Sequence, residues 1–226
     1  MPLTTQHSTR IEQPGAEIMV PLQRFWERQG KIAIGVLGVV AVLIAAGIMI
    51  LRQQAKAEEA AAGKLAEASL FYWQGDFQRS LQVARETAQQ YGSTPSGIDA
   101  HRQAGDAAFF AGDFKTAIAE YRRYLDRNKQ GMLADAAGRS LAYALESAHE
   151  FADAEKQYLA LVGHFDRSSS AEFLLAAARC ERGQNQPARA IPHLQRLIDE
   201  FGDTDYAQPA RIQLAELQAA GTGAAH

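Results

Sequence analysis

The side chains able to do chemistry are few and dispersed. Histidines stand at positions 7, 101, 149, 164, 193 and 226, and no His-Glu-x-x-His places two of them on one helix face. His101 and His164 come closest to structured positions and read as partly exposed helix residues. Cys180 is the single cysteine, so neither an internal disulfide nor a cysteine zinc site is available. Within Leu-Leu-Ala-Ala-Ala-Arg-Cys-Glu-Arg-Gly it reads as a small buried hydrophobe. Ser168-Ser169-Ser170 reads as a loop and helix cap, with no Gly-x-Ser-x-Gly elbow around it. A phosphate-cradling glycine loop is absent from the sequence. The sequence therefore predicts no catalytic residue, no cofactor and no metal ligand, and it does not read as an enzyme.

The elements that position side chains in this chain are helices. No window alternates polar and apolar residues in the manner of a strand, and the apolar spacing is helical. Residues 32 to 51 form a run of twenty without a charge. At ~1.5 Å per residue the run spans ~30 Å, the thickness of a bilayer's hydrocarbon core. The reading is an all-α chain: residues 1–31 a short, mostly disordered cytoplasmic N-terminus, 32–51 a transmembrane helix and 52–226 a soluble repeat domain. A cleaved signal peptide is the rival, because Ala55-Lys56-Ala57 has the small-x-small form. The run is long for that purpose, however, and Arg52 intervenes. Arg24, Arg28 and Lys31 before the run nearly balance Arg52, Lys56 and Lys64 after it, so charge alone does not set orientation. Phe25 and Trp26 stand as interfacial anchors, and a short tail inside with the larger domain outside is the favoured arrangement.

The soluble part repeats itself. Gly75-Asp76-Phe77, Gly112-Asp113-Phe114 and His149-Glu150-Phe151 recur at intervals of 37, and Asn185-Gln186-Pro187 follows 36 later. Nine positions before each Phe or Pro is a small residue: Ala68, Gly105, Ala142 or Ala178. After each turn come Ser80, Ala117, Ala154 or Ala190, and four residues further Ala84, Tyr121, Tyr158 or Leu194. Small residues let two helices cross closely, and the larger ones fill the groove between them. Phe114, Ala117, Ile118, Tyr121 and Leu125 make one apolar stripe, and Phe151, Ala154, Tyr158, Leu161 and Phe165 the next. Lys115, Glu120, Arg123, Lys156 and Gln157 are placed on the opposite faces. Ala210, Leu214 and Leu217 predict a last capping helix, with a frayed tail from Gly221.

This pattern resembles the tetratricopeptide repeat, through Ala117-x-x-x-Tyr121 and Ala154-x-x-x-Tyr158. It implies about four helical hairpins plus the cap. The longer period and loops such as Phe165-Asp-Arg-Ser resemble repeats of bacterial envelope proteins, among them the periplasmic cell-division coordinator and outer-membrane assembly lipoproteins. Arg24-Phe25-Trp26-Glu27-Arg28-Gln29-Gly30-Lys31, leading into the apolar run, is similar to the ancillary subunit of the Sec translocon. That likeness implies an inner-membrane, single-pass protein with a cytoplasmic N-terminus and a periplasmic repeat domain. Implied partners are Sec translocon subunits, periplasmic chaperones or emerging clients. The other readings are a coordinator of cell-wall synthesis, cell division or outer-membrane assembly, and a self-associating structural protein, for which Ala41 and Ala45 offer a small-xxx-small contact.

Such arrays bind partners on the concave face of their first helices. The spacing projects Tyr72, Trp73, Arg102, Asp106, Phe109, Arg139, Tyr143, Glu146, Arg179 and Arg182 toward it. Recurring arginines suit acidic or carboxylate partners. A carboxylate clamp of helix asparagines is not expected, since Asn128 and Asn185 both sit near loops. The net charge of −3, without a basic stripe, excludes nucleic acid as the natural partner. The anchor reading predicts that mass spectrometry of the mature protein recovers peptides from residues 1–31. A protein starting at Glu58 would establish cleavage instead.

Overall fold

A computed structural model describes residues 16–223, with side chains from 29 to 220. Among the described residues the fold is all-α. In chain order the helices are α1 (Ala16–Trp73), α2 (Phe77–Gln90), α3 (Pro95–Phe110), α4 (Phe114–Arg127) and α5 (Met132–Ser147). They continue with α6 (Phe151–Leu161), α7 (Arg167–Gly183), α8 (Pro187–Phe201) and α9 (Ala207–Gly223). Contacts divide the chain into two compact units that meet between Ala55 and Lys56.

In the first unit the apolar run is helical, and its large side chains, from Ile32 to Leu51, are exposed. It is long and apolar enough to cross a membrane, with a mean hydropathy of 2.9 in its most apolar window. Helix α1 starts at Ala16, within the leader that the sequence suggested was disordered, and it contains Pro21. Residues 1–15 and the side chains of Phe25 and Trp26 lie outside the described residues, as do residues 224–226 of the tail.

The second unit is four helical hairpins and a cap. The end of α1 pairs with α2, α3 with α4, α5 with α6 and α7 with α8, and α9 packs on α8. All four hairpin turns are built alike. Gly75, Gly112, His149 and Asn185 take φ values of 79°, 80°, 62° and 58°. The next amide in each turn reaches back five residues: Asp76 to Phe71, Asp113 to Ala108, Glu150 to Leu145 and Gln186 to Glu181. This left-handed turn satisfies the carbonyls that a helix end leaves bare, which explains why the repeat is visible at these positions. Asp76 and Asp113 then cap α2 and α4 by accepting from the Arg79 and Thr116 amides.

Between the helices, the small and large positions meet as the repeat predicted. Ala68, Ala142, Ala178, Ala117, Ala154 and Ala190 are fully buried, and so are Tyr158 and Leu194, with Tyr121 nearly so. A Cβ added to Gly105 would lie 2.6 Å from the Tyr121 ring. Helix α7 serves two cores. Phe173, Ala176, Ala177 and Cys180 join the core of the first three hairpins, while Ala171, Leu174 and Ala178 join that of α8 and α9. In the cap, Ala210 and Leu214 are buried and Leu217 packs beside them.

Three expectations need correction. Phe165 is not on α6, which stops at Leu161 before Gly163 at φ 90°; it packs beyond the helix against Phe173. The three serines lie inside α7, whose cap is Asp166, accepting from the Ser169 amide. Glu120 is 1% exposed, not on an outer face. Donors from three helices, Arg85, His101 and Arg123, approach its carboxylate at 3.3, 2.7 and 2.6 Å. Burial of the charge is tolerated because both of its oxygens are paired.

Two kinds of substitution test this packing by thermal unfolding of residues 56–226. Ala117→Leu and Ala154→Leu should each overpack a helix crossing and cost ~1–3 kcal/mol. Gly105→Ala should also destabilise, although alanine ordinarily gains ~1 kcal/mol over glycine in a helix. A raised midpoint for Gly105→Ala would show that the Tyr121 ring is free to move aside.

Candidate protein-binding face

The first helices of the hairpins carry the ten residues projected onto the concave face, and those residues fall into local clusters. At the first two hairpin turns, aromatic rings run in contact. Tyr72 meets Trp73, Phe77 and Phe110 edge-on at 5.5, 5.6 and 5.7 Å, and Phe109 meets Phe110 and Phe114 at 5.6 and 5.5 Å. Trp73 is 82% exposed and Phe110 58%. Sequence reasoning omitted Phe110 and Phe77 from this cluster. The doublet Phe109-Phe110 was the available signal, because adjacent helical residues cannot both face one core.

The charged members are tied into the scaffold through the repeat tyrosines. Tyr121, buried between α3 and α4, donates to Asp106 Oδ1 at 2.8 Å, and Arg102 donates to Asp106 Oδ2 at 3.1 Å. One hairpin later, Tyr158 donates to Glu146 Oε2 at 2.8 Å, and Arg179 from α7 forks onto Glu146, with Nη2 to Oε2 at 2.8 Å. Tyr143 donates to Glu172 at 2.7 Å. Arg139 lies over the Phe165 ring, 5.2 Å from its centre, and Arg182 donates to Gln213 at 3.4 Å. The arginines therefore differ in role: Arg102 and Arg179 neutralise carboxylates, whereas Arg139 stacks. Arg179 also stands 40 residues after Arg139, about one helical turn beyond the repeat position.

The two tyrosine–carboxylate pairs respond oppositely to their surroundings. Burial pushes the Asp106 carboxyl up, against the opposing pull of Tyr121 and Arg102. At Glu146 burial also favours the neutral form, but the hydrogen bonds from Arg179 and Tyr158 outweigh it and hold the carboxyl below its usual range. Burial lifts the Cys180 thiol to about 12, so it is no nucleophile at neutral pH.

Hairpins stacked side by side, with a buried small-residue crossing in each and a row of mostly half-buried aromatic and charged groups, define a helical-repeat interaction scaffold. Residues 65–132 and 139–205 match the tetratricopeptide repeat, and the chain belongs to that family. No curated protein matches it. Among solved structures it is similar to a putative kinesin light chain of Podosopora anserina with nearly identical TPR-like repeats. The identity is 14%, covering 73% of this chain and 89% of that one, with a TM-score of 0.57. A single-residue variant of that same protein gives the same identity and TM-score and is covered to 88%. These likenesses establish the fold.

The sign of the linkage differs between the two carboxylates. Glu146, lowered on folding, contributes stability above the unfolded carboxylate pKa that is lost as pH falls through the folded value. Asp106, raised on folding, costs stability when ionised and releases that cost as it protonates. From about pH 7 to about pH 3.5, the deficit of Glu146→Gln relative to wild type should shrink, and that of Asp106→Asn should grow. Thermal midpoints of residues 56–226 across that range measure both.

Proposed function

We propose that this chain is a membrane-tethered protein-interaction scaffold of the bacterial envelope, working as an ancillary factor at the Sec translocon. The observation that carries the tether is the helical run of residues 32–51, whose Ile, Val and Leu side chains are exposed along its length. Large contiguous apolar surface is not left facing water on a soluble protein. Lipid is the natural cover for twenty such residues. The N-terminus is assigned to the cytoplasm and the repeat array to the periplasm, on the inner membrane. The tetratricopeptide family supplies the other half of the reading, since its arrays work as protein–protein interaction scaffolds. A tether holds the array near the membrane and raises its effective concentration toward membrane-bound partners.

The partner is assigned to the face of the first helices. There Trp73 is exposed, Arg139 stacks on the Phe165 ring and Arg182 bonds to the Gln213 amide. Tyr72, Arg102, Asp106, Phe109, Tyr143, Glu146 and Arg179 complete that face and fix its shape.

A phosphatase active only outside the cytoplasm should work when fused after His226 and fail when fused before Met1. The reverse pattern sinks the topology. Affinity purification in mild detergent should retain translocon subunits; recovery of division proteins, or of further copies of the chain alone, would redirect the assignment. Trp73→Ala with Arg139→Glu and Arg182→Glu should reduce that retention at least ~10-fold, because central aromatic and arginine contacts dominate interfaces. Lys115→Glu with Lys156→Glu, on the second helices, should leave it unchanged. Equal loss from both sets would make net charge, not this face, the determinant.

A further inference from the structure

Three groups able to ligate a metal converge where α6, α7 and α8 pack together. His193 Nε2 lies 3.2 Å from Glu155 Oε1, and Glu181 completes the set, with one ligating atom from each residue within 4.8 Å of the others. The side chains of His193, Glu155 and Glu181 are 17%, 13% and 1% exposed. Glu181 Oε1 accepts from Arg189 Nε at 3.1 Å, but its Oε2 is buried with no hydrogen-bond donor. A buried carboxylate oxygen without a donor is costly. Its neighbour Glu155 is another acceptor, approached by Gln184 Nε2 at 3.4 Å. Arg189 and His193 face these two carboxylates, yet Glu181 Oε2 is left without a donor.

We propose that Glu155, Glu181 and His193 form a binding site for a divalent transition metal of the zinc class, with water completing the coordination. One imidazole and two carboxylates suit zinc, whereas magnesium and calcium take oxygen ligands alone. Ligand bonds of ~2.0–2.2 Å in a tetrahedron put donor atoms roughly 3.4 Å apart, close to the His193–Glu155 separation. Glu181 needs only a small side-chain shift to join them. Arg189, 60% exposed, holds Glu181 Oε1 from the solvent side and leaves Oε2 to the metal. Cys180 is a neutral thiol near these carboxylates and is not among the ligands.

The position gives the site its role. Glu155 belongs to the third hairpin, while Glu181 and His193 belong to the fourth, and α7 is the helix shared between the two hydrophobic cores. A metal here clasps the last hairpin to the one before it. None of the three residues stands in a metal-binding spacing, since 26 and 12 residues separate them, so the sequence alone carries no sign of the site.

The test uses the full chain in detergent, purified without a histidine tag and stripped with a chelator. Calorimetric titration with Zn2+ should show one equivalent bound, with a thermal midpoint several degrees higher when saturated. Co2+ in its place should give the visible absorption of a low-symmetry site with a nitrogen ligand. Glu181→Gln and His193→Gln should each weaken uptake at least ~10-fold with far-ultraviolet helicity retained, while His164→Gln, in the exposed pair with Asp135, should not. No saturable Zn2+ uptake by wild type overturns the site. So does uptake, or Co2+ absorption, that survives His193→Gln; that variant decides even if Glu181→Gln loses helicity.

Discussion

Three of the four hairpins close on one steric exchange, a side chain of one carbon or none opposite a ring or a branched chain, while the first sets Ala84 near Ala68. Gly105 leaves no room for even a methyl group beside the Tyr121 ring, and Ala142 and Ala154 occupy the matching places around Tyr158. Close helix crossing follows, and with it the burial of Ala117, Ile118, Leu141 and Leu145 in one continuous core. Interiors packed this densely tolerate neither voids nor added volume. The period of the sequence is thus the period of a packing constraint, carried from hairpin to hairpin with each contacting its neighbours.

The ring that fills the crossing also carries a hydroxyl, and this couples packing to charge. Tyr121 and Tyr158 are buried to satisfy the core, yet each needs an acceptor for its O–H, and the acceptors are Asp106 and Glu146. Those carboxylates in turn attract Arg102 and Arg179. Much of the charged row on the first helices therefore exists to balance the interior. Trp73, 82% exposed, and Arg139, stacked on Phe165, lie outside that chain of dependence.

The hairpins were legible in the sequence because turn, small residue and ring recur in register. Gly75 and Gly112 announced left-handed turns, and Asn185 is the next best residue for that conformation. His149 carried no such signal of its own and was found only through the 37-residue interval. What escaped was decided across helices. Glu120 looked like an outer-face residue from its place on α4, but Arg85 and His101 reach it from α2 and α3. The equivalence of Arg102, Arg139 and Arg179 likewise failed in detail, since the partner of each comes from a different element. Periodicity reports what one helix offers, and it is silent on which neighbour answers.

The same limit explains the difference between the two ends of the array. In the second and third hairpins the crossings are filled by tyrosine rings, and beside the first two turns Trp73 and Phe110 are exposed. Toward the C-terminus Pro187 replaces the turn aromatic and Leu194 replaces the tyrosine, so the fourth crossing has no hydroxyl and no carboxylate to balance it. Its buried charge is instead Glu181, on the side of α7 that meets α6 and α8, where Arg189 satisfies one oxygen only. Loss of the tyrosine thus removes the donor that organises charge in the second and third hairpins. The last hairpin is secured by apolar contact on both sides, through Phe173, Ala177 and Cys180 toward the third hairpin and through Leu194 and Leu197 toward α9.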